Sequence, residues 1–504
     1  MRSLRVPKRL GFPLKAIFAA LLVMVARSEE KLNVVFILAD DLGYGEVGCF
    51  GQQKIPTPNI DKLAAQGMKL TQFYSGAPTC APSRCVFMSG KHLGHADIRG
   101  NRQAKVAFPE FKEGQHPIKK ETVLMPEVFK KAGYATAAIG KWGLGPVGST
   151  GDPNRHGFDL FFGYNCQSIA HSYYPRYLWR NDQQVEINAK PIPGHPKLLE
   201  AGAEVKMEDY IGENYAPKLM IAEAEKFIGE KKDAPFFLYL AFIEPHVAMH
   251  PPKESVEKFP KEWDAEPHRG EAGYTPHPRP RAGYAAMISD LDSYVGRVMA
   301  ALEKAGVAER TLVVFTSDNG TTLESNKESR FNIGGVDAAF FNSTAGLRGF
   351  KGSVYEGGMR VPTVVRFPGK VKPGATTEAP GYFADWFPTL CSAAGLQAPA
   401  NLDGDNLLPV LEGGTPGARK PMVWTYAEYG GQVVVRLGNY KVLRRGLATK
   451  EPGDWEVYDI PADRAETKNL AADKPELIEQ AVEVLKQEMS DNAAFPLKVP
   501  GVNS

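Results

Sequence analysis

Beyond residue 26, no apolar run in this 504-residue sequence is long enough to cross a bilayer as a helix, so stable membrane insertion is not expected of the mature chain. Charge of either sign is barely in excess: 60 Lys and Arg against 58 Asp and Glu leave +2. That balance makes no broad field to draw nucleic acid, and no nucleic-acid partner is expected. There is no internal repeat and no low-complexity segment, which argues against a solenoid or a disordered chain. Cysteine is sparse, with five residues: Cys49, Cys80, Cys85, Cys166 and Cys391. An odd count leaves at least one free, modified or intermolecular. What remains is ordinary globular composition, 43% hydrophobic and 23% charged, long enough for a large core and for two or more domains. The 39 prolines exceed the usual share of ~5% and point to many ordered loops.

Residues 1–28 read as a secretion signal. Arg2, Arg5, Lys8, Arg9 and Lys15 precede an apolar core at 16–26, and Ala26-Arg27-Ser28 offers a cleavage point. A secreted or periplasmic protein is expected. Residues 33–39 (NVVFILA) form a continuous apolar, β-branched run, as in a strand buried on both faces. Residues 135–139, 235–242 and 311–316 read likewise as strands. Residues 59–66, with Asn59 as cap, 122–132 and 284–304 read as helices, the last with Met287, Leu291, Val295, Val298 and Leu302 on one face. The alternation predicts an α/β sheet covered on both faces over residues 29–395. After a Gly-, Pro- and Asn-rich stretch at 396–417, four short strand-like runs and a helix at 476–489 predict a smaller α+β domain over 396–504.

Two of the buried strands end in acids. One runs into Asp40-Asp41, the other through Ser317 into Asp318-Asn319. Ligands of open α/β sheets bind beyond the carboxyl ends of the strands. Two such ends side by side would gather three carboxylates and an amide, whose repulsion a hard divalent cation would relieve. Oxygen ligands favour calcium or magnesium over zinc. The alternative is a pair of helix caps. Cys80-Ala81-Pro82-Ser83-Arg84 reads as a helix start, because Pro82 suits a first turn. Cys80 would then sit where free N–H groups favour an anion, with Arg84 one turn on. By residue type alone, Cys80 could equally be structural or a thiolate nucleophile.

Residues 80–90 (CAPSRCVFMSG) resemble the type I sulfatase signature C-x-P-S-R-x-x-L-x-T-G, with Phe87 for Leu and Ser89 for Thr. Asp40-Asp41, TPNIDKLAAQG at 57–67, IRGN at 98–101, GKW at 140–142, Pro245-His246, SDNG at 317–320 and RGFKGSVYEGGMRVP at 348–362 follow in the family's order. LDGDNLLP at 402–409 and WEVYDI at 455–460 resemble its C-terminal domain. The resemblance covers nearly the whole mature chain. It implies a large mixed sheet flanked by helices, alkaline-phosphatase-like, with a smaller C-terminal α+β domain carrying an antiparallel sheet.

That resemblance also implies a chemistry. Cys80 would be oxidised to formylglycine by a separate formylglycine-generating or anaerobic maturase enzyme. Its geminal diol would attack sulfur through one oxygen, then collapse and expel sulfate. One calcium ion would be held by Asp40, Asp41, Asp318, Asn319 and the diol at position 80. Arg84 would hold the diol, Lys141 and Lys351 the sulfate oxygens, and His246 the leaving oxygen or the sulfate bridge. With Cys80 converted, Cys49, Cys85, Cys166 and Cys391 allow three full pairings, and nothing in the sequence chooses among them.

One departure stands out. The family usually reads G-K-W-H-L-G, and here Gly143 replaces the histidine thought to act on the diol. His92, His95 and His171 are candidates for its role. Residues 170–181 (AHSYYPRYLWRN) combine aromatic faces with Arg, as a sugar-binding wall would, and His171 is a candidate substrate ligand. The expected substrate is a sulfated saccharide held in an exo-acting pocket, a sulfated galactose or N-acetylgalactosamine being one choice. Two rivals remain: a phosphatase or phosphodiesterase of the same superfamily, and an impaired homologue that only binds sulfated glycan.

Overall fold

The computed structural model describes residues 31–196, 199–200, 203–325 and 331–503, so the leader read at 1–28 lies outside the described residues. From Leu32 onward the chain forms one compact unit. Its strands are β1 (Asn33–Ala39), β2 (Met68–Leu70), β3 (Phe73–Tyr74), β4 (Ala135–Lys141), β5 (Leu160–Tyr164), β6 (Tyr177–Arg180), β7 (Gln183–Glu186) and β8 (Phe236–Ala241). There follow β9 (Thr311–Ser317), β10 (Thr363–Arg366), β11 (Ala375–Thr377), β12 (Gly381–Tyr382), β13 (Met422–Tyr426), β14 (Gln432–Leu437), β15 (Tyr440–Arg445) and β16 (Trp455–Asp459).

Ten of these make one mixed sheet in the order β11-β2-β10-β9-β1-β8-β4-β5-β6-β7. Its centre is parallel: β1 lies between β8 and β9, with Val35 opposite Leu238 on one side and Val313 on the other. Alternation along β1 sends side chains to two cores. Val34, Phe36 and Leu38 pack on the side of Val86 and Phe87, whereas Val35, Ile37 and Ala39 pack on the side of Met287, Leu291 and Val295. The helix Cys80–Ser89, buried along its whole length, covers the first face. Helices Ala216–Lys231 and Pro280–Lys304 cover the second. Each fully buried Val or Phe here is worth ~1.5–3 kcal/mol over its exposed state, which holds the strand ends in place.

The C-terminal sheet β13-β14-β15-β16 is antiparallel throughout. Leu477, Ala481 and Leu485 of the helix Pro475–Glu488 pack on its Val433, Val435 and Val442. Its opposite face, through Trp424, Val434 and Leu443, joins the large core.

Two local expectations change. The helix read at 59–66 spans Pro58–Ala65 with Thr57 in the cap position. Asn59 instead donates from its backbone N–H and from Nδ2 to the Asp292 carboxylate, at 3.0 and 2.7 Å. The helix read at 122–132 is Met125–Lys131, because Leu124 is extended and Pro126 sets the first turn.

Candidate functional site

The two acidic strand ends do meet. β1 and β9 are adjacent and parallel, so Asp40-Asp41 and Asp318-Asn319 leave the sheet together. Asp41 turns sharply with φ 64°, a left-handed conformation, and its N–H donates to Asp318 Oδ1 at 3.2 Å. The Leu42 N–H donates to Ser317 Oγ at 2.9 Å, and Asn319 Nδ2 donates to Asp41 Oδ1 at 2.7 Å. These bonds lock the two turns into one constellation.

The N-terminus of the helix Cys80–Ser89 points into it. Cys80 Sγ lies 3.3 Å from Asp40 Oδ1, 3.9 Å from Asp41 Oδ1 and 3.5 Å from Lys351 Nζ. One turn on, Arg84 donates from Nε and from one terminal nitrogen to Asp318 Oδ2, at 3.0 and 2.8 Å, and reaches Asp40 at 3.3 Å. Its other terminal nitrogen donates to the Lys141 carbonyl. Lys141, the last residue of β4, puts its ammonium on Asp40 Oδ2, and Lys351 puts its own on Asp41 Oδ2 at 2.8 Å. His246 follows β8, with Nε2 3.5 Å from Asp41 Oδ2 and Nδ1 against the Val247 carbonyl.

All of these groups are buried, and three carboxylates face three cations. Burial alone would raise Asp40, but Lys141 and Arg84 overcome it and hold the carboxyl well below the ordinary range. Burial raises Asp41 against the pull of Lys351, and burial with the charge of Asp40 pushes Asp318 up to about 6. Burial, then Asp40, drives the Cys80 thiol well above its ordinary value. Burial, with Lys351 and Lys141, drives His246 well below its own. At neutral pH this centre therefore holds a protonated thiol and a neutral imidazole. A thiolate nucleophile is disfavoured here, because its charge would sit in a dry site beside Asp40.

The donor set fits a hard cation. Asp40, Asp41, Asp318 and Asn319 converge, and the buried Asn319 Oδ1 has no partner among the described residues. A lone buried carbonyl oxygen beside carboxylates is the ligand chemistry calcium takes. Asp40, Asp41, Cys80 and His246 also bring one ligand atom each within 4.8 Å of one another.

His171 is brought to this centre one layer out. Its ring stacks on His246 at 4.8 Å and 10°, and its Nδ1 lies 2.8 Å from His195 Nε2. His92 and His95 stack on each other in a separate cluster with Asp403 and Glu488. Sequence reasoning missed His195 and Tyr274, whose rings lie 4.3 Å apart beside His171. They come from loops distant in sequence, and no local pattern marks them. It also missed Gln167, which lies against Gly143. Cys49, Cys80, Cys85, Cys166 and Cys391 are all unpaired.

Helices on both faces of a mixed sheet, with charged residues at the carboxyl ends of its central strands, place a candidate ligand site where open α/β sheets bind their ligands. The Sulfatase family model matches residues 32–396, and the model of the C-terminal region of N-sulphoglucosamine sulphohydrolase matches 349–494. Arylsulfatase A of Homo sapiens is 31% identical over 487 residues, covering 90% of this chain and 86% of that protein. N-acetylgalactosamine-6-sulfatase of Rattus norvegicus is 30% identical over 401 residues, covering 78% and 68%. The crystal structure of Ps i-CgsB superposes with a TM-score of 0.72 at 25% identity, over 91% of this chain and 92% of that one. The chain belongs to the sulfatase family: it is a sulfuric ester hydrolase.

Proposed function

We propose that the enzyme removes sulfate from a terminal residue of a sulfated saccharide, using formylglycine made from Cys80 and one calcium ion. The observation that carries this reading is the environment of Cys80. Its sulfur sits at an oxygen-lined, cation-rich centre that disfavours the thiolate, so the residue as encoded lacks an effective nucleophile. Hydrated formylglycine at this position would supply an oxygen nucleophile, and a calcium ion beside it would polarise that oxygen. Asp40, Asp41, Asp318 and Asn319 would hold the ion.

The chain's own groups then have separable tasks. Three carboxylates already balance three cations, so a divalent ion leaves the centre net positive and suited to a sulfate ester. Lys141 and Lys351 bind sulfate oxygens as charge gathers there. Arg84 fixes Asp318 and Asp40 and keeps the helix start aligned. His246, with Nε2 3.5 Å from Asp41, faces the bridging oxygen and donates to it when Nε2 carries a proton. Burial and the surrounding imidazole and ammonium groups hold His171 well below its ordinary value, so it too contributes hydrogen bonds rather than charge.

Lys351 also lines a cleft of ≈ 680 Å³ with Arg348, Tyr355, Tyr429 and Arg445. Aromatic faces and guanidinium groups suit an anionic sugar. Structures of the same fold include Ps i-CgsB with k-i-k-neocarrahexaose and BT4656 with D-glucosamine-2-N,6-O-disulfate. The leader motif supports export, and a maturation enzyme is the required partner. Among the described residues no helix is long and apolar enough to cross a membrane. Mass spectrometry of the proteolytic peptide spanning residue 80 tests this reading. A formylglycine mass is expected in active protein, and an unmodified thiol in fully active protein would refute it.

A further inference from the structure

Gly143 and Gln167 form a pair that the sulfatase reading above leaves unused. Gly143 has φ 86°, and a Cβ placed on it would lie 2.0 Å from Gln167 Nε2. The carboxamide therefore fills the space that a side chain at position 143 would claim. Gln167 is only 5% exposed, yet neither Nε2 nor Oε1 has a partner among the described residues. Its backbone is fixed, since its N–H donates to Gln115 Oε1 at 2.8 Å. A buried amide with all its hydrogen-bonding capacity unused is costly unless something binds there.

Its surroundings indicate what binds. Gly143 lies two residues beyond Lys141, whose ammonium meets Asp40. The loop carrying Gln167 runs on to His171, whose ring stacks on His246. The amide thus lies in the loops that leave the carboxyl ends of the adjacent parallel strands β4 and β5, at the sheet end where Lys141 meets Asp40. A carboxamide both donates and accepts but does not ionise at working pH. It suits a sulfate ester, whose oxygens accept, on a sugar, whose hydroxyls donate. It cannot take a proton from the nucleophile.

We propose that Gln167 is a substrate-binding residue of the sulfate pocket, placed there because position 143 is glycine. Nε2 donates to a sulfate oxygen, and Oε1 accepts from a neighbouring sugar hydroxyl. This inference rests on the sulfatase reading and deepens it.

The test compares matured wild type with Gln167→Ala, Gly143→Ala and the double variant. It measures hydrolysis of a sulfate ester, calorimetric binding of inorganic sulfate and thermal melting. Gln167→Ala should lower kcat/KM by roughly 10- to 100-fold and weaken sulfate binding. Its melting temperature should hold or rise, because two unpartnered buried polar atoms are gone. The limbs of its pH–rate profile should not move, since no titrating group is removed. Gly143→Ala should impair hydrolysis by displacing the amide and by straining the backbone at φ 86°, and only the first part of that harm should vanish when Gln167 is already Ala. Wild-type kcat/KM and sulfate affinity in Gln167→Ala would overturn the proposal, as would a lowered melting temperature with unchanged kinetics. A wild type that cleaves phosphate esters but no sulfate ester would instead overturn the sulfatase reading, and the sulfate-binding arm would still report on Gln167.

Discussion

At the scale of single residues, the centre is organised by charge. Lys351 is asked to do two things: neutralise Asp41, at 2.8 Å, and bind sulfate. These can be separated. Lys351→Ala should lower kcat by roughly 10²-fold or more, because a charge-stabilising donor is lost from a dry site. It should also melt earlier, because Asp41 is left uncompensated. Added calcium should restore the melting temperature without restoring the rate; recovery of both would show that the ammonium serves the carboxylate alone. Asp40, Asp41, Asp318 and Asn319 were legible in the sequence because each pair ends a continuous apolar run. Lys141, His246 and Lys351 were legible only through motif resemblance, since an isolated lysine or histidine carries no sign of burial. Gln167 was not legible, because its meaning depends on a side chain missing 24 residues earlier.

At the scale of elements, the site depends on how closely the central strands approach. Gly140 in β4 has φ 111°, and a Cβ there would lie 1.8 Å from the Ala241 carbonyl of β8. It pairs across the other edge with Gly163 of β5, whose own Cβ would meet the Gly140 carbonyl at 2.0 Å. Lys141 is the next residue, so this close approach delivers its ammonium to Asp40. Gly140→Ala should cost about 2–5 kcal/mol of stability by thermal or denaturant unfolding, through strain and overpacking together. A wild-type midpoint would mean that the strands can part without harm. The parallel strands β1, β8 and β9 were readable from continuous runs that are apolar on both faces. The antiparallel insertion of β10 between β2 and β9 was not, because pairing partners leave no mark on a four-residue strand. The helix start at Met125 was misjudged because a pattern of apolar residues does not reveal the extended backbone at Leu124.

At the scale of the whole molecule, burial of acids links stability to pH. Glu46 is fully buried and accepts from the Gly43 N–H, from Tyr284 and from Thr321. Burial raises it to about 7. Its folded-state value lies above the unfolded one, so the folded protein binds the extra proton between them. Its contribution is therefore complete at acid pH and is lost as pH climbs toward 7. Melting temperature measured across that window should fall less steeply in Glu46→Gln than in wild type. Equal slopes would show that Glu46 is ionised throughout. The two-layered core and the C-terminal sheet that shares it were readable in outline from alternating strands and helices and from the later run of short strands. How Tyr274 and His195 close over His171 was not, since it is a property of the folded loops.

The most direct measurement is release of inorganic sulfate from defined sulfated saccharides by matured wild type and by Cys80→Ala, each with calcium and after its removal. Wild type with calcium should release sulfate, and the other three samples should release essentially none. Undiminished release by Cys80→Ala would contradict the account.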